Sequence, residues 1–477
     1  MGKETKKSGF EKVLGTTDVL MVAFGAMIGW GWVVSSGSWI MTGGVLGTAL
    51  GFIIGGIMIY FVGLCFAELT TAMPMCGGEQ VFSYKAFGTI GSFICTWSII
   101  LAYIGVVCYE AVSFPTIMQY LFPWIGTEGF LYEIAGFKIY TPWLVIAIIS
   151  AVFITVVNIV GTKKAAILQN IFTVIIAGVG VILLVGSLFR GDISNYEGQT
   201  LIGDSAGNVV ENIVRIAIMT PFFFFGFDVI PQAAEEVNVP MKKLGRLMIL
   251  SIVMAVGFYV MIVIAAGLML SRPEVMKVMG DGGSTLVPAD AMAKAFGSQM
   301  MAKVLIVGGL CGIITSWNAF LIGGSRALYS MADANMIPKC FTKLTKKGKV
   351  PIVGLLLIGV LSIIAPFFGK VMLVWIVDAS NFACCISYCV VSMAFIVLRK
   401  KEANLERPYK VNNYKTVGTI AVVMSGAMAL MYIIPGTSCT LIWQEWVITG
   451  GWILLGALFA LWGKKKYKKD FGVRENI

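Results

Sequence analysis

Apolar runs of about twenty residues or more recur along almost the whole chain, separated by short polar stretches in which the charges collect. A hydrocarbon layer about 30 Å thick is crossed by roughly 20 helical residues. The pattern therefore predicts membrane-spanning helices near residues 17–40, 43–71, 89–122, 142–160, 163–189, 209–235, 242–270, 298–330, 351–368, 371–398, 415–435 and 446–463. The expected fold class is an all-α integral membrane protein of about twelve spans, with polar tails at 1–16 and 464–477 and no room for a separate soluble domain. No removable signal peptide is expected, because the first sixteen residues are polar and lysine-rich and the apolar run behind them is long and lacks a cleavage site.

Charge orients this array. With twelve spans, 28 of the 36 Lys and Arg residues fall on the side of both chain ends. Lys138, Arg190, Arg272, Lys277, Lys294 and Lys370 fall on the other, and Arg215 and Lys303 lie at span ends. A missed or invented span would scatter that bias, and the excess of positive charge marks the cytoplasmic side. Both termini are expected to be cytoplasmic, in a multi-pass protein of the plasma (inner) membrane. The same loop charge accounts for the net +11 without a nucleic-acid partner. Composition agrees, since 58% apolar and 13% charged residues are too few polar groups to cover a soluble protein of 477 residues. Most of the ten cysteines, among them Cys65, Cys95, Cys311, Cys384 and Cys385, sit inside apolar runs as small apolar side chains, so neither a disulfide framework nor a metal cluster is expected. The chain has no histidine, which removes the usual zinc and Ser-His-Asp arrangements. No enzyme, cofactor or obligate protein partner is expected; the partners are the lipid bilayer and a small solute.

Two spans carry their own interruptions. The first reads GAMIGWG, with Gly25, Gly29 and Gly31, and the sixth reads MTPFFFFGFDVIP, with Pro221, Gly226, Asp228 and Pro231. Proline removes an intrahelical hydrogen bond and glycine admits non-helical angles, while backbone groups freed within a membrane need new partners. A bound polar solute can supply them. The two segments open successive sets of five spans, 17–189 and 209–398, followed by 415–463. Matched interruptions in two halves point to a transporter site, and an odd number of spans per half requires the second half to insert upside down. Half-helix N-termini attract a carboxylate and freed carbonyls receive a cation or ammonium. An amino acid carries both groups.

The motifs resemble a known family. GAMIGWGWV in span 1, FAELTTAMPMCGGEQVFSYKAFG after span 2, NIVGTKKAAILQN in span 5, FFFFGFDVIPQAAEEVNVP in span 6 and GGSRALYSMADANMIP after span 8 are together similar to the amino acid/polyamine/organocation (APC) permeases. The resemblance covers at least residues 17–350 and implies the leucine-transporter fold, two inverted five-helix repeats plus two helices, working by alternating access. It implies that backbone amides at Ile28, Gly29, Trp30 and Gly31 hold a substrate carboxylate, that carbonyls around Ala26, Met27 and Phe223, Phe224 and Phe225 receive the ammonium, and that Phe225 or Phe227 acts as a lid. It also implies that Glu68, Pro74, Gly77 and Gly78 play a structural part. The chain departs from the family pattern in reading AEEVNVP where AEEVKNP is common, in carrying Trp30 and Trp32 where smaller residues or a Phe are usual, and in having Ile175, Ile176 and Ala177 where some relatives place a lysine.

Three acids fall within spans, Glu110, Asp228 and Asp378, and each is a candidate for substrate, proton or gate. The structural alternatives are a helix cap for Asp228, a neutral core carboxyl for Glu110 and a water-filled mouth for Asp378. With the span 5 lysine absent, Thr315 and Ser316 offer hydroxyl oxygens beside span 1 carbonyls to a hard cation such as sodium, or bond to their own helix. The readings are coupling to sodium, coupling to a proton through Glu110 or Asp228, or uncoupled exchange. Four consecutive phenylalanines with Trp30, Trp32 and Trp317 suggest an aromatic pocket suited to an apolar side chain or an organic cation. A neutral or apolar amino acid ranks first as the solute, and an amine of the ethanolamine or polyamine type second. A non-transporting nutrient sensor on the same fold ranks below both, because the tails leave little room for a signalling domain.

Overall fold

The structure, a computed structural model, describes residues 10–134, 136–280, 285–346, 349–369, 371–437 and 439–474. Residues 1–9 of the expected N-tail, 475–477 of the C-tail and Lys370 lie outside the described residues. The helices are α1 (Thr16–Met27), α2 (Gly31–Ala72), α3 (Glu79–Leu121), α4 (Thr141–Val160), α5 (Thr162–Arg190), α6 (Ala206–Phe223), α7 (Val229–Gln232), α8 (Met241–Met269), α9 (Arg272–Met279), α10 (Val287–Phe296), α11 (Gln299–Asp333), α12 (Ile352–Ile364), α13 (Val371–Lys401), α14 (Tyr414–Met431) and α15 (Trp443–Tyr467). Among the described residues, nine are long and apolar enough to cross a membrane, and α1 and the stretch Ile352–Phe368 are shorter apolar helices.

The departures from a row of uninterrupted spans have local causes. α2 is two helices joined at Gly44, whose φ of 74° only glycine adopts freely. There the amides of Val45 and Leu46 donate to the Gln199 and Thr200 carbonyls at 2.8 and 2.9 Å, pinning the turn to the loop before α6. α3 starts at Glu79, well before the expected residue 89, and also contains a left-handed glycine, Gly88 at φ 73°. α12 tightens into a 3₁₀ turn at Ala365–Phe368, where Pro366 ends the regular ladder. Three pieces between the long helices went unforeseen: α9, α10 and an antiparallel hairpin of β1 (Phe130–Ile134) and β2 (Phe137–Tyr140).

α3 and α11 form the centre, the most deeply buried of the long helices, with α13 packed along α3. α1 packs against α5, α8 and α11, and α2 against α6 and α8. α15, by contrast, is largely exposed and presents Leu454, Leu458 and Leu461 outward, as α4 and α5 present Ile149, Phe153, Ile171 and Val174. Apolar surface on that scale around a buried polar centre is the reverse of a soluble protein and suits a lipid environment.

The first and last described stretches, around Leu14 and Arg474, meet on one face, here the chain-end face, through Glu236 and Glu235. Val13 and Leu14 donate their amides to the Glu236 carbonyl at 2.9 Å, and Asn238 donates back to Leu14 at 2.8 Å. Near the other end, Arg474 is buried, with Nε 2.7 Å from Asp333 Oδ2 and Nη1 2.7 Å from the Cys76 carbonyl.

Candidate functional site

α1 stops at Met27 and α2 starts at Gly31. Ile28 still donates to the Phe24 carbonyl at 3.0 Å, and among the described residues the next amide with a backbone acceptor is that of Val33, 2.9 Å from the Trp30 carbonyl. The α2 N-terminus has no side-chain cap, so its first N–H groups remain available to an anion. Gly25 and Gly31 stay helical; the interruption is Ile28–Trp30.

The second interruption runs from Phe224 to Asp228. Pro221 lies inside α6 and Pro231 inside α7. Gly226 carries the reversal at φ 138°. The two interruptions touch: a Cβ on Gly226 would sit 2.5 Å from Ala26 Cβ and 3.0 Å from the Met27 amide nitrogen. Asp228 holds the bend, accepting from the Gly226 amide and from the Tyr103 hydroxyl, both at 2.8 Å.

Beside this junction a narrow space of about 20 Å³ is lined by Ala26, Met27, Gly29, Trp30 and Gly31, by Val106, Tyr109 and Glu110 of α3, by Phe222 and Phe223, by Tyr259 of α8 and by Ser316 and Phe320 of α11. It has room for about one water molecule, so an amino acid can enter only if the surrounding rings part. Glu110 is 3% exposed, is hydrogen-bonded to Ser316, and has no partner for Oε2. Trp30 is buried with its Nε1 unpartnered. Two residues that line this space thus carry an unpartnered acceptor and an unpartnered donor, the groups that a solute with a cationic and an anionic end would satisfy.

Several expected residues stand elsewhere. Trp317 is fully buried away from this space. Phe224 packs edge-on to Phe52 and Tyr259, Phe225 against Phe222 and Tyr388, and Phe227 against Phe66 and Tyr388, so none of the three lines it. Asp228 is turned into its own bend. The Ile28 carbonyl accepts from Trp32 Nε1 at 3.2 Å and the Met27 carbonyl from the Tyr259 hydroxyl at 2.8 Å; both are already occupied as acceptors. Thr315 donates to the Gly25 and Gly312 carbonyls at 3.0 and 2.9 Å, joining α11 to α1. Asp378 lies against Glu445 at the start of α15.

Val106, Tyr109, Tyr259 and Phe320 were missed. Tyr109 had a signal, an aromatic next to an acid within a span. Tyr259 looks like any ring in an apolar helix, and Val106 and Phe320 carry no mark beyond apolarity.

On the face of the chain ends, Arg326 and Glu236 form a buried pair at 2.5 Å, and Glu68 pairs with Arg399 at 2.6 Å and Arg407 at 3.1 Å, matching the structural part implied for it.

The chain matches the model of the amino acid permease family over residues 14–459. It is similar to a methylthioribose transporter of Bacillus subtilis, 24% identical over 98% of this chain and 96% of the relative. A branched-chain amino acid permease of the same organism is 24% identical over 97% and 95%, and its serine/threonine exchanger is 25% identical over 88% and 91%. These relatives are permeases and transporters rather than enzymes. With apolar helices crossing the membrane many times around interrupted, mutually contacting segments, the chain belongs to the amino acid permease family of the APC superfamily and is a multi-pass membrane transport protein.

Proposed function

We propose that the protein is a secondary-active permease or exchanger of a neutral or apolar amino acid, working by alternating access around the junction of its two interruptions. The observation that carries this reading is the enclosure beside the junction, lined both by the uncapped start of α2 and by Glu110, whose Oε2 is unpartnered. The free α2 amides would take the substrate carboxylate. Glu110 would take the ammonium, since Tyr259 and Trp32 already occupy two of the helix carbonyls. Trp30, Tyr109, Phe222, Phe223 and Phe320 would pack on the side chain. Two of the relatives are named for branched-chain amino acids and for serine and threonine, which favours a neutral substrate.

In this reading the chain crosses the membrane twelve times on the leucine-transporter plan. Residues 17–189 and 209–398 are the inverted repeats, 415–463 the two added helices, and both ends are cytoplasmic in the plasma (inner) membrane. An organic amine is the second reading, favoured by the same pairing of Glu110 with aromatic faces.

The test is thermal unfolding of the purified protein against a panel of amino acids and amines, with and without sodium, because a ligand of the folded state stabilises it. A concentration-dependent rise with a neutral amino acid supports the first reading, and a rise only with amines replaces it with the second. An increase that depends on sodium would give Thr315 and Ser316 a role as ion ligands.

A further inference from the structure

Glu79, at the first turn of α3, and Asp228, in the α6–α7 bend, are both fully buried. Neither is in an ion pair among the described residues. Gln232, one turn after Asp228 on α7, donates through Nε2 to Glu79 Oε2, which sets Glu79 beside the turn that Asp228 opens. The titratable groups facing them are acids too: Cys95 and Tyr103 on α3, and Cys384 and Tyr388 on α13. The buried cations of this face are already engaged, Arg326 by Glu236 and Arg474 by Asp333. Two fully buried carboxylates in one enclosure without a countercharge cannot both remain ionised at modest cost, so such a pair keeps a proton.

We infer that Glu79 and Asp228, joined through the α7 turn whose Gln232 holds Glu79, form a proton-binding site, with the proton held on Glu79 and exchanged on the face that carries Leu14 and Arg474. The placement on Glu79 follows from the donors. Asp228 accepts from the Gly226 amide and the Tyr103 hydroxyl, both of which favour its anionic form. Glu79 has the Gln232 amide alone, and its Oε1 has no partner. Gln232 serves both states, since it donates through Nε2 to a carboxylate and, with the amide turned, accepts through Oε1 from a carboxylic acid; its Oε1 is likewise unpartnered.

The seam over Glu79 sets the side of exchange. Gly77 donates its amide to the Gln232 carbonyl at 3.2 Å, and a Cβ on Gly78 would lie 2.4 Å from Pro231 Cβ. This contact packs the turn before α3, which also meets Arg474 through the Cys76 carbonyl, onto α7. Parting it would admit water and release the proton there, which couples proton movement to the opening step. The inference rests on the transport reading and supplies its coupling ion.

The experiment is an infrared pH titration of the full chain in lipid nanodiscs without substrate, following the carbonyl stretch of protonated carboxyl groups. Because no amino acid is present, its result is independent of the ligand screen. Glu79→Gln is expected to remove one such band that the unsubstituted protein shows at neutral pH. Asp228→Asn is expected to keep that band but make it titrate at a pH lower by about one unit or more, the size of a close like-charge effect. A spectrum unchanged in Glu79→Gln, or a band whose titration does not move in Asp228→Asn, would overturn the assignment.

Discussion

Tyr259 of α8 donates its hydroxyl hydrogen to the Met27 carbonyl at 2.8 Å, so the last turn of α1 is closed by a side chain from another helix. Tyr259→Phe keeps the ring, which stacks on Phe52 at 4.9 Å, and leaves the carbonyl buried and unpaired. A loss of about 1–3 kcal/mol is expected from the unsatisfied acceptor, measured as a lower midpoint of thermal unfolding. The freed carbonyl also becomes an acceptor for an ammonium. The variant is therefore expected to retain substrate-induced stabilisation, and loss of that response with an intact fold would argue that the tyrosine itself touches the substrate.

Gly226 tolerates no side chain for two separate reasons. Its φ of 138° is one that L-residues avoid, at a cost of about 1–3 kcal/mol, and a Cβ would meet Ala26 Cβ at 2.5 Å. Gly226→Ala is expected to push α1 from the α6–α7 bend and abolish transport. Gly178→Ala is the control: this glycine lies in α5 with nothing within 4 Å of its Cβ position, and the change is expected to be neutral or to stabilise by up to about 1 kcal/mol. Uptake assays on the pair separate the junction from a general effect of adding a methyl group.

Glu274 caps α9 and gives a pH dependence of known sign. Partial burial pushes its carboxyl up, but Lys294 at 2.7 Å and the Ser271 amide and hydroxyl at 2.8 Å outweigh this and hold it below its ordinary value. A carboxyl lowered in the folded state stabilises the fold above its ordinary range, and that contribution is lost as pH falls through the lowered value. Glu274→Gln is expected to reduce the melting temperature at neutral pH and to show a smaller further fall on acidification than the unsubstituted protein. Equal acid dependence in the two would show that the cap contributes nothing.

The interruptions were legible because glycine, proline and aspartate are costly inside an apolar helix and cluster at matched places in spans 1 and 6. Their exact positions were not legible. Gly25 remains helical because its Cα faces Thr173 and Gln169 of α5, where a Cβ would be 2.1 and 2.8 Å away, so it serves close packing. The phenylalanine run misled for a related reason. Once the backbone leaves helical geometry no periodicity tells which ring points inward, and the structure turns Phe222 and Phe223 to the enclosure and Phe224 and Phe225 away from it. Glu79 was hidden because Gly77 and Gly78 read as a loop, whereas α3 begins directly after them. Tyr259 and Gln232 matter only through partners 232 and 153 residues away in the chain, and pairings at that distance leave no mark in one sequence.

Arg326 and Glu236 join three elements on the face of the chain ends. Arg326 Nε lies 2.5 Å from Glu236 Oε1 and its Nη2 lies 2.9 Å from Thr162 Oγ1 at the start of α5, while Thr162 donates to Glu236 Oε2 at 2.6 Å. Both charged side chains are at most 2% exposed, so removing one leaves the other desolvated without a partner. Arg326→Ala or Glu236→Ala is expected to cost about 3–5 kcal/mol, and the double variant markedly less than the sum, because the orphaned charge is gone. Arg326→Lys keeps the charge but loses the planar fork that reaches the carboxylate and Thr162 together, so it should fall between the unsubstituted protein and the alanine variant. Unfolding measurements on the four proteins of the cycle give the coupling directly. Additive single effects would mean that the pair merely occupies space, and that the seam between α5, α11 and the α7–α8 connection is held by its apolar contacts.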